Sequence, residues 1–426
     1  MRRLPAHIGT VLRHAWSVAS DRVKTVASSI LNTGAARGGT ALRKCLDHVH
    51  LPGVADPDSL HEADFSEPVE LDVLNVRARI GREIDGQSWR SFLIVELCGT
   101  IQAPDEGHEV TLEVSLSDVT DSAGGALPVL NRPKQGHLDH SCHFLCQTDM
   151  GRLCHETTVL EDWTVVARLC PEWFVLPRQG SRRIQYNASV RSRQTQDRLA
   201  SASCVGLFEN LEVGYLDIED NIRRAKTLAV GLAFSVAVAD AELRDPEIDV
   251  IHGWVRTNFS SENASAAAQL EMQRALQKTA GFFRKGGRLN IQDICREIVD
   301  IAPMVGRLET LDLCLRVAGA KGQVTAFELT LLKDLATWLE VDRARLRAMA
   351  EKRLPVHMHQ SQDAEMILGV NDGMSQDETR HQLNREYAKW SSRVISSNPN
   401  IRKQADEMLR LIADARTEYV SVRAPR

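Results

Sequence analysis

The sequence predicts an α+β multi-domain chain: an N-terminal basic helix, an all-β sandwich-like domain, an all-α helical domain and a small helical tail. Three observations predict it. Short alternating segments separated by Gly, Pro and Asp clusters fill the first half. Near Leu216 the hydrophobic period switches from two to 3.6. Helix-start signals then recur to the end of the chain. Hydrophobic content of 43% and charged content of 26% are those of an ordinary globular protein and exclude global disorder.

The N-terminal segment, residues 1–49, carries Arg2, Arg3, Arg13, Arg22, Lys24, Arg37, Arg43 and Lys44, with Asp21 as the acidic exception up to residue 46. Leu4, Ile8, Val11, Leu12, Ala15, Val18 and Ala19 recur at helical spacing, which makes a basic amphipathic helix. Such a helix either packs on its own protein or, through residues 1–46, docks on a membrane surface or an acidic partner. Residues 50–68 are rich in Pro, Asp and Ser and read as a linker.

Residues 69–210 read as the β-domain. Its expected strands are Val69–Ile80, Ser91–Ile101, Val110–Ser117, His143–Gln147, Thr158–Leu169, Arg183–Arg193 and Ala200–Phe208. Turn signals at Asp85-Gly86, Pro104-Asp105, Gly124-Gly125 and Pro177 to Gly180 separate them, the punctuation of a sandwich or barrel.

The helical domain is placed at residues 217–354. Asp217 to Ala241 is apolar all round, as the central helix of a bundle is. Asp245-Pro246-Glu247 reads as a helix start, with Asp245 as N-cap, Pro246 in the first turn and Glu247 at the positive end of the dipole. Further helices are expected at 262–285, 291–302, 307–320, 326–339 and 343–354, with a capping box at Thr325 to Glu328. A short linker, His357–Asp363, precedes the tail at residues 364–420.

No stretch reaches the roughly 18 uninterrupted apolar residues of a spanning helix. The most apolar run, Leu228 to Ala239, ends at Asp240 and reads as a core helix. The net charge of −5 argues against a generic nucleic-acid binder and leaves only local basic patches for such contacts. Nine scattered cysteines, with no secretory signal, read as reduced thiols of a cytoplasmic protein.

Two stretches of the helical domain repeat at an offset of 81 residues. Leu232-Ala-Phe-Ser-Val-Ala-Val-Ala-Asp240 continues through Leu243 to Glu247. Leu313-Cys-Leu-Arg-Val-Ala-Gly-Ala-Lys321 continues through Val324 to Glu328. Each is an apolar helix, a polar turn, then a capped helix with Glu at the same place. The pattern resembles the TerB tellurite-resistance family, in which an Asp-Gly turn followed by a Glu closes one helix and opens the next. The resemblance implies facing acidic turns that bind a divalent cation through carboxylate oxygens. It makes Asp240, Glu242, Glu247 and Glu328 the candidate metal ligands, with no other cofactor. The sequence departs from the family at Ala241, where Gly is expected, and at Lys321, where Asp is expected. A lysine there is placed to pair with a carboxylate and substitute for the cation. Helix capping is the structural explanation of the same glutamates.

In the tail, Met366-Ile-Leu-Gly-Val370 followed by the Ser375–Glu378 capping box resembles the start of a J-domain. The His-Pro-Asp triad of that family would fall at Ser391, Ser392 and Arg393 and is absent, so the resemblance implies a J-like docking module without chaperone stimulation. Arg380, Arg385, Lys389, Arg393, Arg402 and Lys403 either face an acidic partner or a nucleic-acid backbone, or form a solvated helix face.

His137, His140, Cys142, His143, Cys146, Cys154 and His155 form the densest set of zinc-type donors, yet no CxxC is present, and Cys142, Phe144 and Cys146 on one strand face read as buried core residues rather than zinc ligands. Phosphate loops, a G-x-S-x-G elbow and an H-E-x-x-H pair are missing. The expected function is therefore non-enzymatic: an adaptor or sensor that recruits or regulates protein partners. Its architecture resembles the TerB-like subunit of a Shango-type anti-phage defence system, which implies an ATPase and a helicase as partners. The alternatives are a metal-binding stress or tellurite-resistance protein and a membrane-surface scaffold.

Overall fold

The computed structural model describes residues 71–85, 88–121, 125–132, 143–153, 155–259, 266–359, 364–371 and 373–421. The expected N-terminal helix and the linker after it lie outside these residues. The chain divides into two compact units, one from His50 to Asp220 and one from Asn221 to Arg426.

The first unit is built from β1 (Asn75–Asp85), β2 (Ser88–Gln102), β3 (Glu109–Asp118), β4 (Leu127–Pro128), β5 (Leu130–Asn131), β6 (Leu145–Arg152), β7 (Thr157–Leu169), β8 (Phe174–Val175), β9 (Gly180–Ser192) and β10 (Arg198–Asn210). One antiparallel sheet has the order β1-β2-β7. The other runs β10-β9-β3, with β6 and then β4 pairing the far edge of β3. Alternation sends Val110, Leu112, Val114 and Leu116 of β3 inward beside Ile184, Tyr186, Ala188 and Val190 of β9. The same core takes Val76, Leu93, Val95, Leu97 and Leu169 from the other sheet. Two antiparallel sheets sharing one apolar layer make the sandwich that the period-two pattern predicts.

Strand β2 departs from simple alternation, since every residue from Leu93 to Gly99 is buried. Its outer face is covered by Arg77 and Arg79, which both bond the Glu96 carboxylate at 2.6 and 3.1 Å. Burial pushes that carboxyl up, but the two guanidiniums outweigh it and hold it below the usual range. Gly99 is required at its position, because φ is +113° and a Cβ would lie 1.9 Å from the Val73 carbonyl oxygen. The first strand begins at Asn75 rather than Val69, since residues 71–73 form a turn.

The helices are α1 (Tyr215–Ala237), α2 (Asp245–Phe259), α3 (Ala266–Arg284), α4 (Ile291–Ile301), α5 (Met304–Gly319), α6 (Ala326–Trp338), α7 (Arg343–Arg353), α8 (Ala364–Leu368), α9 (Gln376–Ser391) and α10 (Pro399–Ser421). The repeat-related helices α1 and α5 are the two central ones. One face of α1 (Leu228, Leu232, Val236) and one of α5 (Leu311, Cys314, Leu315) meet α4, α6 and α7. The other faces, with Ala233, Phe234, Leu313 and Val317, meet α2 and α3. Serving two cores explains why the second half of α1, Leu228 to Ala237, is apolar nearly all round.

Two expected helix starts are corrected. Helix α2 begins at Asp245 itself, so Asp245 is not its N-cap; Arg244 precedes the helix, and its N–H is held at 2.9 Å by Glu247 Oε2. Helix α5 begins at Met304, not Arg307, because Pro303 has the fixed φ and missing N–H suited to a helix entrance. The capping boxes at Thr325–Glu328 and Ser375–Glu378 are both present.

Helices α8 to α10 enclose a small core of Leu368, Leu383, Trp390, Met408 and Ile412. They are tied to α7 by Arg347 to Glu386 at 2.5 Å and by Glu351, which receives Lys389 and Arg393. Among the described residues no helix is long and apolar enough to cross a membrane.

Candidate functional site

The repeat builds the same turn twice. After α1, Ala239 N–H donates to Val236 O and Ala241 N–H to Val238 O; after α5, Ala320 donates to Val317 O and Gly322 to Gly319 O. Ala241 and Gly322 are equivalent and both left-handed, with φ of +69° and +81°. Glycine takes that conformation freely, whereas Ala241 holds it at a cost of about 1 kcal/mol. The following helices then start alike. Arg244 N–H reaches Glu247 Oε2 at 2.9 Å, and Thr325 N–H reaches Glu328 Oε2 at 2.8 Å.

The two turns face each other through Lys321. Its ammonium lies 2.5 Å from Asp240 Oδ2 and 2.9 Å from Glu328 Oε1, and all three side chains are nearly or fully buried. Asp240 also accepts the Glu242 N–H, and Glu328 accepts the Thr325 hydroxyl. Glu247 is fully buried as well, yet its Oε1 has no hydrogen-bond partner.

Charges follow the geometry. Burial pushes Asp240 up, but the Lys321 hydrogen bond and the Glu242 N–H bring it below the usual carboxylate range. Burial pushes Lys321 down, and its two carboxylate bonds carry it above the ordinary lysine value. Glu247 has no such compensation: burial, with the negative charges of Asp240 and Glu328, outweighs the Arg244 N–H and the Lys321 charge and raises it to about 6.

Of the four sequence candidates, Asp240, Glu247 and Glu328 therefore come together and Glu242 does not. Glu242 is exposed and bonds Arg244 at 2.7 Å. A divalent cation needs about six or more oxygens around one point. Here an ammonium nitrogen stands between two of the three carboxylates, so the residues present do not fit a divalent cation. Among the described residues no group of three or more His, Cys, Asp or Glu side chains is arranged to hold a metal ion.

The family model described as tellurite resistance protein TerB matches residues 226–351. This stretch is a TerB-like domain. It takes in both acidic turns and ends within α7. No curated protein matches the sequence. Among solved structures, a Bacteroides uniformis beta-glucuronidase is 10% identical, with 74% of this chain and 38% of that chain covered and a TM-score of 0.18. A calcium-binding mutant of Bacteroides uniformis beta-glucuronidase 2 is 8% identical, with 68% and 39% covered and a TM-score of 0.17. The chain spans about two fifths of their length, and likeness at these scores carries no argument.

The TerB-like domain also carries a cleft of roughly 530 Å³ between α2, α5 and α7. Trp254, Val305, Leu308 and Met349 form its apolar wall. Asp312 on its rim is taken by Arg353 through two bonds of 2.7 and 2.9 Å. Glu309 and Arg316, two turns apart on α5, line the cleft and have no ion pair among the described residues. No motif marks this cleft in the sequence, since it forms where three separate helices meet.

Of the expected zinc-type cluster, His137, His140, Cys142 and Cys154 lie outside the described residues; Cys146 is a free thiol packed on the sandwich core. Sequence reasoning missed a relay in the β-unit. His108 Nδ1 lies 2.5 Å from Asp105 and its Nε2 lies 2.9 Å from Ser192 Oγ, which also accepts the Thr195 N–H at 3.1 Å. Ser192 is fully buried, so the relay pins the β9–β10 turn to the start of β3. In the tail, Lys389 and Arg393 are engaged by Glu351, and Arg402 donates to Ser396 O. Arg380, Arg385 and Lys403 remain exposed.

Proposed function

We propose that this protein is a non-enzymatic adaptor or sensor subunit that recruits or regulates protein partners, of the kind that accompany an ATPase and a helicase in bacterial anti-phage defence. The cleft of the TerB-like domain carries the reading. Its apolar wall, with Glu309 at one end and Arg316 at the other, suits an amphipathic helix of a partner. Apolar anchors of that helix would cover Trp254, Val305 and Leu308, with a basic residue over Glu309 and an acidic one over Arg316. Val305 is 40% exposed, so it contributes to the cleft without being needed by the core.

The test is affinity purification of the full chain from its native cells, with the retained proteins identified by mass spectrometry. An ATPase or helicase held by the wild type and lost with Val305→Asp supports the reading. Recovery of neither, or equal retention by both chains, overturns it.

The second reading, a metal-binding stress or tellurite-resistance protein, is favoured by the family match alone. Lys321 inside the acidic cluster weighs against it. The membrane-surface reading rests on residues 1–46.

A further inference from the structure

We infer that Lys321 is a covalently attached substitute for a bound cation, and that the TerB-like domain holds a latent divalent-cation site which one substitution opens. Three observations carry this inference, and none involves the cleft. The first is equivalence. Asp240 and Lys321 occupy the same position in two copies of one turn, as do Glu247 and Glu328; the backbone bonds that close the two turns and the glutamate bonds that open the next helices correspond. The chain therefore presents a nearly two-fold site in which three of four equivalent positions are acidic and the fourth carries a cation.

The second is placement. The Lys321 nitrogen bonds one carboxylate from each turn, which is the bridging role a metal ion would have between facing turns. Its side chain is 5% exposed, so the charge is held inside the fold and is not a surface pair.

The third is what the ammonium leaves undone. Three carboxylates face one lysine, and the Glu247 Oε1 stays buried without a partner. A lysine has three donors and a fixed stem, and it reaches Asp240 and Glu328 but leaves Glu247 unserved. The orphan oxygen is thus a buried acceptor that the lysine does not satisfy.

Lys321→Asp gives the second turn the acidic residue that the first has at Asp240 and leaves four carboxylates with no internal cation. Lys321→Met removes the ammonium without adding a ligand. The experiment uses the purified full chain of each, with metal content by elemental analysis and thermal unfolding followed by circular dichroism in EDTA, in millimolar calcium and in millimolar magnesium. The wild type should carry no stoichiometric divalent cation and should melt at the same temperature in all three. Lys321→Asp should melt several degrees lower in EDTA, or fail to fold there, and should recover in calcium or magnesium with one ion bound per chain. Lys321→Met should be destabilised and gain nothing from either ion. The inference is overturned if EDTA lowers the wild-type transition, if the wild type retains one divalent ion per chain, or if Lys321→Asp responds to neither ion more than Lys321→Met does. The wild-type arms stand even if both variants fail to fold.

Discussion

Lys321 donates to Asp240 across 2.5 Å, and the two are the same position of one turn, 81 residues apart in the chain. A duplicated acidic turn would set like charges against each other in a buried space, which is unfavourable without a cation between them. Exchanging one member of the pair for its opposite charge resolves the conflict from within. The pair then ties the end of α1 to the end of α5, the two helices on which both halves of the helical core are built.

Removing the ammonium should be costly. Lys321→Met leaves Asp240 and Glu328 buried with no cation, and breaking a buried pair this way costs roughly 3–5 kcal/mol. Urea unfolding of wild type and variant measures it, and adding Asp240→Asn should recover part of the loss. A change below about 1 kcal/mol would mean that the pair is solvated like a surface one.

Glu247 should make stability fall with rising pH. Its folded pKa is raised from 4.5 to about 6. A carboxyl raised in this way contributes stability that is fully present below about pH 4.5 and is lost as the pH climbs through about 6. Asp240 runs the other way, since its lowered pKa gives stability that disappears only as the pH falls below the ordinary carboxylate range. His252, lowered by burial, titrates over the same range with the opposite sign, so the difference between wild type and a Glu247 variant is what isolates Glu247 between about pH 4.5 and 6. Glu247→Gln keeps an acceptor for the Arg244 N–H and should be more stable than wild type by about 2 kcal/mol at neutral pH, with no gain near pH 4. Chemical denaturation across that range checks the sign.

Glu351 should govern how firmly the tail is held. It receives both Lys389 and Arg393 from α9, and its carboxyl, pushed up by burial, is brought below the usual range by those two cations. Glu351→Gln should raise amide hydrogen exchange in α9 and α10 while leaving α1 and α5 protected. Equal exchange throughout would show that the remaining ties, among them Arg347–Glu386 and the Lys333 and Arg343 bonds to Glu365, hold the tail without Glu351.

The relay in the β-unit should behave as a structural pin. Ser192→Ala strips a partner from His108 Nε2 in a buried setting and from the half-buried Thr195 N–H. The expected loss is about 1–3 kcal/mol, read by thermal or urea unfolding. Ser192→Thr, which keeps the hydroxyl, should lose less if the turn accepts the added methyl.

The parts of this fold legible in the sequence are those whose cause is local. Alternation in β3 places Val110, Leu112, Val114 and Leu116 in the sandwich core, and the Thr325 and Ser375 capping boxes mark where α6 and α9 begin. The repeat reaches further, since it sets Lys321 against Asp240 and aligns Glu247 with Glu328 before any distance is known. What stays hidden depends on competition between side chains or on contacts distant in sequence. Asp245 is a better N-cap by type than Arg244, yet the Glu247 carboxylate satisfies the Arg244 N–H and shifts the boundary by one residue. Glu242 has the chemistry of a ligand, but Arg244 draws it to the surface. Strands β4, β5 and β8, of two residues each, are too short to show a period. His108 and Ser192 meet across 84 residues with no pattern linking them.

A counter-charge carried on the chain has no dissociation constant. A fold closed by a soluble ion gains stability in proportion to the logarithm of that ion's free concentration, and so its folded fraction follows the supply in the cell. Lys321 is present at one copy per molecule under every condition, and its occupancy does not fall with dilution or chelation. The TerB-like domain of this chain is thereby uncoupled from mass action at the position where its family resemblance would lead one to look for a ligand-driven response.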